Sequence, residues 1–113
     1  MHELSIAQNI IEIVEENIKT IENPKVNSVF LKVGKLSNVL IDSLIFGFDT
    51  LIQGTNLEGA KLLVEEIPVK LNCKSCNKEF ETNKFAFRCV YCNNTNLEML
   101  TGNELTVSEI DLE

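Results

Sequence analysis

The chain has 113 residues and a net charge of −7, from 17 acidic and 10 basic side chains. Its 44% hydrophobic and 24% charged content is that of a small globular protein with a core, not of a disordered chain. The acidic balance gives no general attraction to phosphate backbones or anionic membranes. No apolar stretch reaches the about 20 residues that span a bilayer. The start, Met1-His2-Glu3-Leu4-Ser5, lacks the basic, apolar and small-residue parts of a signal peptide, so a cytoplasmic protein is expected.

Ala7, Ile10, Ile11, Val14, Ile18 and Ile21 recur at steps of three and four and predict a helix over 4–22. Ser5 and Gln8 resemble a capping box, and Asn23-Pro24 is a stop. Residues 26–33 are β-branched and apolar, a strand with Val29, Leu31 and Val33 on one face and Phe30 and Lys32 on the other. After Gly34, a cap at Ser37 or Asn38 opens a second helix over 39–53. Its stripe is Ile41, Leu44, Ile45, Phe48, Leu51 and Ile52, and Gly54 closes it. Residues 60–71 read as one strand with an edge or a break near Pro68. A polar segment, 72–96, carries the cysteines. Residues 97–101 and 104–112 read as two strands joined by a Gly102-Asn103 hairpin turn.

The order predicts an α+β protein, with two helices packed on a small mixed three-stranded sheet. A final strand that pairs back onto the first part makes the cysteine segment an insert. The expected domains are 1–70 plus 97–113 and an inserted 71–96.

The four cysteines, Cys73, Cys76, Cys89 and Cys92, form two CxxC pairs separated by twelve residues. The cytosol keeps thiols reduced, so they read as ligands rather than disulfides. Two tight turns face to face supply four thiolates in a tetrahedron, which suits structural Zn(II). Asn77 and Asn93-Asn94 follow the pairs, and asparagine tolerates the positive φ such turns need. Phe80, Phe85, Phe87 and Tyr91 are expected to pack over the cluster. Iron or a redox dithiol also suits four sulfurs, but the site has no open position, and zinc in a zinc-ribbon or knuckle is the better reading.

His2 is the only histidine. The Met1 amine, the His2 amide nitrogen and the His2 imidazole can close five- and six-membered chelate rings on one metal. Glu3 can add an amide nitrogen or a carboxylate oxygen. Such nitrogen-rich sets suit Ni(II) and Cu(II). Taken alone, histidine at position 2 arises by chance in many chains, and an ordinary exposed N-terminus is the plainer reading.

Several stretches together resemble the HypA/HybF family of hydrogenase nickel-incorporation proteins. They are Met1-His2-Glu3-Leu4-Ser5, Val33-Gly34-Lys35-Leu36-Ser37, Phe46-Gly47-Phe48-Asp49, Gly59-Ala60-Lys61-Leu62 and the paired CxxC motifs. The resemblance covers essentially the whole chain. It implies a nickel metallochaperone that is not an enzyme, with Ni(II) as cargo on Met1, His2 and Glu3 and structural Zn(II) on the four cysteines. It also implies work with a HypB-type nickel-binding GTPase, and delivery to the large subunit of [NiFe] hydrogenase. In some organisms urease and its accessory proteins are served as well. A monomer or a homodimer fits. Relatives place an acidic residue a few positions after the Gly-x-x-Ser segment. Leu40 stands there in this chain, and Asp42 follows two positions later. A charge favourable in the first turn of helix 2 suffices to account for Asp42.

Two other classes compete. A zinc-ribbon adaptor for a protein or nucleic-acid partner would use the basic residues Lys70, Lys74, Lys78, Lys84 and Arg88 around the knuckle. The charge of −7 and the lack of a basic stripe with interleaved aromatics weigh against nucleic acid. An enzyme would need a nucleophile–base pair or a phosphate loop, and neither pattern is present.

Overall fold

The computed structural model describes residues 2–82 and 88–113, apart from the His2 side chain. The spans at Phe85, Phe87 and Lys84 lie outside the described residues. The fold is α+β, in the order α1 (His2–Ile18), β1 (Val26–Gly34), α2 (Ile41–Leu51), β2 (Lys61–Ile67), β3 (Val69–Cys73), β4 (Glu79–Thr82), β5 (Leu97–Thr101) and β6 (Leu105–Leu112).

The apolar stripes become the core. Ile6, Ala7, Ile10, Ile11, Val14 and Ile18 of α1, Leu44 and Phe48 of α2, and Val29, Leu31 and Val33 of β1 are all buried. Phe30 and Lys32 face away from that core, as the alternation of β1 requires. Helix α1 begins at His2, so Ser5 lies inside it rather than at its cap. The helix also stops early, at Ile18. A turn follows in which Ile21 N–H donates to Ile18 O (3.0 Å), and Asn23 adopts φ 50°. Ile21 is therefore 41% exposed and does not extend the stripe. Gly47 lets α1 approach α2, since a Cβ there would sit 3.1 Å from Leu4 Cδ1.

Two three-stranded sheets form, ordered β2-β1-β6 and β4-β3-β5. Gly34 N–H donates to Glu104 O (2.7 Å) and Glu113 N–H to Lys25 O (2.9 Å), so β6 runs antiparallel to β1. Lys35 N–H donates to Ile67 O (3.0 Å) where β1 and β2 end together, with α2 between them in sequence. The sheet is thus mixed.

Three expectations change. The strand over 60–71 is broken at Pro68 into β2 and β3, which serve different sheets. Proline cannot donate to a ladder, and its carbonyl instead accepts from Thr101 Oγ1 (2.8 Å). Residues 97–112 are not a hairpin. β5 pairs antiparallel with β3 while β6 joins β1. Gly102, at φ 130°, is where the chain changes sheets. A Cβ on Gly34 would lie 2.1 Å from Gly102 C, and Leu36 N–H reaches Gly102 O at 2.6 Å. The Val-Gly-Lys-Leu-Ser glycine is therefore set by a backbone crossing. Finally, the polar segment 72–96, to which the sequence pattern assigns no strand, contains β4, paired with β3 in the register Leu71↔Phe80.

The chain divides into two compact units. One is Met1–Lys32, Val39–Glu65 and Thr106–Glu113, and the other is Val33–Asn38 and Glu66–Leu105. The cysteine unit thus takes in β5 and the 33–38 segment as well as the cysteines themselves.

Candidate metal sites

Each CxxC pair closes the same backbone turn. Asn77 N–H donates to Cys73 O (2.7 Å) and Asn93 N–H to Cys89 O (2.9 Å). Cys73 N–H donates to Lys78 O (2.9 Å) and Cys89 N–H to Asn94 O (2.8 Å). Asn77 and Asn93 both stand at φ 62°, the left-handed conformation expected of them. The first turn grows from the end of β3. A small core of Val69, Leu71, Cys73, Phe80 and Cys89, with Leu36, Cys76 and Leu97 against it, holds the turns in place.

The four Sγ atoms lie within 4.8 Å of one another. Cys73 and Cys92 are 3.5 Å apart, and Cys76 and Cys89 are 3.6 Å apart. Sulfurs tetrahedrally placed about 2.3 Å from zinc would be about 3.8 Å apart. The cage therefore fits a tetrahedral thiolate-bound ion with little adjustment. Burial pushes the Cys89 thiol up, but the N–H groups of Cys92 and Tyr91 and the nearby sulfurs outweigh it and bring it down to about 6. One of these contacts is Tyr91 N–H to Cys89 Sγ at 3.3 Å. Cys73 is also lowered, first by the backbone N–H of Cys76. Burial raises Cys76. At Cys92 the Asn94 N–H favours the thiolate, but burial and the other three sulfurs push the thiol up to about 12. Four thiolates this close repel one another, and a dication among them removes the conflict.

Tyr91 packs edge-on against Phe80, at 6.4 Å between centroids and 82° between planes. The described basic residues around the knuckle, Lys70, Lys74, Lys78 and Arg88, have local partners. Lys70 pairs with Glu79 (3.3 Å), Lys74 with Glu98 (3.9 Å), and Lys78 Nζ sits 5.0 Å from the Tyr91 ring centroid. Arg88 donates to Asn93 O (3.5 Å). Among the described residues this arrangement leaves little of a continuous cationic stripe for a phosphate backbone.

At the other end of the chain, Met1 and the His2 side chain lie outside the described residues. Glu3 stands in the first turn of α1, and its Oε2 accepts from Leu40 N–H at 3.4 Å. Asp42 is in the first turn of α2 and lines one recess with Glu3, Leu4, Ser43, Phe46 and Gly47. The structure brings Glu3 and Asp42 to the same recess. No sequence signal announced that the Glu3 side chain would reach α2.

Fold and cage together define a small α+β metal-binding protein, with a helix-and-sheet unit and a four-cysteine unit. The family model described as "Hydrogenase/urease nickel incorporation, metallochaperone, hypA" matches residues 1–112. The hydrogenase maturation factor HypA of Nostoc sp. is 42% identical over 113 residues, covering 100% of this chain and 96% of the relative. The factor of the same name from Roseiflexus sp. is 39% identical over 114 residues, covering 100% and 93%. A solution structure of HypA protein superposes with a TM-score of 0.74 at 25% identity, covering 100% of this chain and 97% of that one. The solution structure of the Ni metallochaperone HypA from Helicobacter pylori gives 0.68 at 24% identity, covering 97% and 96%, a likeness of fold. The chain belongs to the HypA family of hydrogenase/urease nickel-incorporation metallochaperones. That family consists of maturation factors rather than catalysts, and their work implies partner proteins of the maturation machinery. Among the described residues no helix is long and apolar enough to cross a membrane.

Proposed function

We propose that this chain binds Ni(II) at its N-terminus and delivers it to the maturing large subunit of [NiFe] hydrogenase. The ligands are the Met1 amine, the His2 amide and imidazole, and Glu3. Cys73, Cys76, Cys89 and Cys92 hold structural Zn(II), which stiffens the cysteine unit and is not itself handed over. The helix-and-sheet unit is then the nickel-binding domain and the cysteine unit the zinc domain. The observation that supports this most is the family model, because its match to residues 1–112 takes in both the N-terminal motif and the cysteines.

The chemistry suits transfer. Amine, amide and imidazole all lose protons on binding, so nickel affinity rises with pH. A ligand set at a chain end can be drawn off by a competing partner without breaking a core. A HypB-type GTPase is the expected co-worker, and urease with its accessory proteins is a second client. The site of action is the cytoplasm, the chain working as a monomer or homodimer without nucleic acid or membrane.

Calorimetry of untagged, zinc-loaded protein with Ni(II) tests the proposal. One nickel is expected per chain in the wild type and none in His2→Ala, with zinc content unchanged in both. One-to-one nickel binding retained in His2→Ala would move the site elsewhere.

A further inference from the structure

Glu3 carries two claims on one carboxylate. It belongs to the proposed nickel set, and its Oε2 already accepts from Leu40 N–H at 3.4 Å, across 37 positions of sequence. Leu40 is the N-cap of α2, at φ −82° and ψ 105°, and its own side chain makes no cap hydrogen bond. A helix start leaves its first N–H groups without intrahelical acceptors, and in a capping box the N–H of the N-cap residue itself is taken by a Glu or Gln three residues into the same helix. That position in α2 is Ser43. The acceptor for Leu40 N–H comes instead from Glu3, on another helix. Glu3 and Asp42 share one recess at this end of α2, where the helix dipole favours negative charge.

We infer that Glu3 couples the N-terminal metal site to the start of α2, capping the helix when nickel is absent and loosening it when nickel binds. The inference rests on the N-terminal nickel reading. Its direction follows from the chemistry of a carboxylate. A long hydrogen bond to a neutral amide is a weak hold. A dication that takes Oε2 competes with Leu40 N–H for the same oxygen. A dication that takes only the other oxygen still withdraws charge from Oε2 and weakens it as an acceptor. In either case Leu40 N–H loses, and Leu40 is 65% exposed, so the change is written on the surface beside the metal. By linkage, anything that holds the start of α2 firmly must also alter nickel affinity.

The test is hydrogen exchange at Leu40 in the full zinc-loaded chain, for wild type, Glu3→Ala and Glu3→Gln, with and without one equivalent of Ni(II). Amides of buried β1 serve as the check on overall folding. Without nickel, Glu3→Ala is expected to speed Leu40 exchange roughly fivefold, the usual worth of a helix cap, with β1 unchanged. Glu3→Gln, which keeps an acceptor oxygen, recovers most of the protection. Nickel speeds Leu40 exchange in the wild type and adds nothing in Glu3→Ala. Equal Leu40 exchange in wild type and Glu3→Ala without nickel would overturn the cap. Nickel that binds the wild type but leaves Leu40 unchanged, or slows it, would overturn the coupling. If the wild type binds no nickel, the N-terminal reading falls and the coupling with it, while the nickel-free comparison still decides the cap.

Discussion

The cysteine cage and the proposed nickel set are built by opposite means. The cysteine unit places four sulfurs within 4.8 Å of one another, on two matching turns anchored to a sheet. In the proposed nickel set, Glu3 stands in the first turn of α1 and its carboxylate is already engaged by a backbone amide at 3.4 Å. The charges divide the same way. The helix-and-sheet unit holds 12 of the 17 acidic residues and four of the 10 basic ones, while the cysteine unit holds five and six. On the proposed reading, a resident ion is served by a closed cage whose four donors are anchored by backbone turns. A cargo ion, on the same reading, is served by a set in which at least Glu3 has another partner once the ion has gone.

The sharpest way to break this contrast is to remove the resident ion. Chelation, or Cys73→Ser with Cys89→Ser, should melt β3, β4 and β5 while leaving the α1/α2 core folded. Structural zinc contributes roughly 10 kcal/mol or more to comparably small modules. The core of the cysteine unit has only a few buried apolar side chains to replace that. Amide exchange would read both units in one sample. Retained protection across Leu71 and Phe80 after zinc removal would mean that the unit folds without a metal.

A smaller effect separates two glycines. In Gly34→Ala the new Cβ would fall 2.1 Å from Gly102 C, and backbone cannot step aside there cheaply. A loss of about 3 kcal/mol or more is expected. In Gly47→Ala the nearest atom is the end of the Leu4 side chain, 3.1 Å away, which can rotate. A change within about 1 kcal/mol should follow, because alanine also favours the helix. Denaturant melts measure both. Equal losses would show that the Gly34–Gly102 crossing is not rigid.

Smaller still are the two knuckle asparagines. Asn77→Ala and Asn93→Ala put alanine at φ 62°, at a cost of about 1 kcal/mol each, while Asn→Gly should be neutral or slightly stabilising. Zinc competition with a chelator would resolve the pair, and alanine variants as tight as wild type would show that the turns relax.

What could be read from residue order follows the range of the interactions concerned. Periodicity located α1, α2 and β1, because burial of Val14, Leu44, Phe48 and Leu31 is written in local spacing. The CxxC spacing and its trailing asparagines were legible for the same reason, since each turn closes within five residues. Sheet membership was not. Nothing near Gly102 says that β5 returns to β3 while β6 goes on to β1, because that choice is made by partners some 30 to 80 residues away. Pro68 signalled a break but not that the halves would serve separate sheets. The N-cap of α2 is Leu40, without a side-chain cap, and not Ser37 or Asn38. The acceptor for its N–H comes from Glu3, and only the fold brings it there.

The central claim is that the two ions have separate ligand sets, and X-ray absorption at the nickel edge tests it most directly. Zinc-loaded protein carrying one Ni(II) per chain is expected to show a first shell of nitrogen and oxygen without sulfur, and His2→Ala to lose that spectrum. Sulfur around nickel would place the cargo in the cysteine cage and contradict the division of labour between the two units.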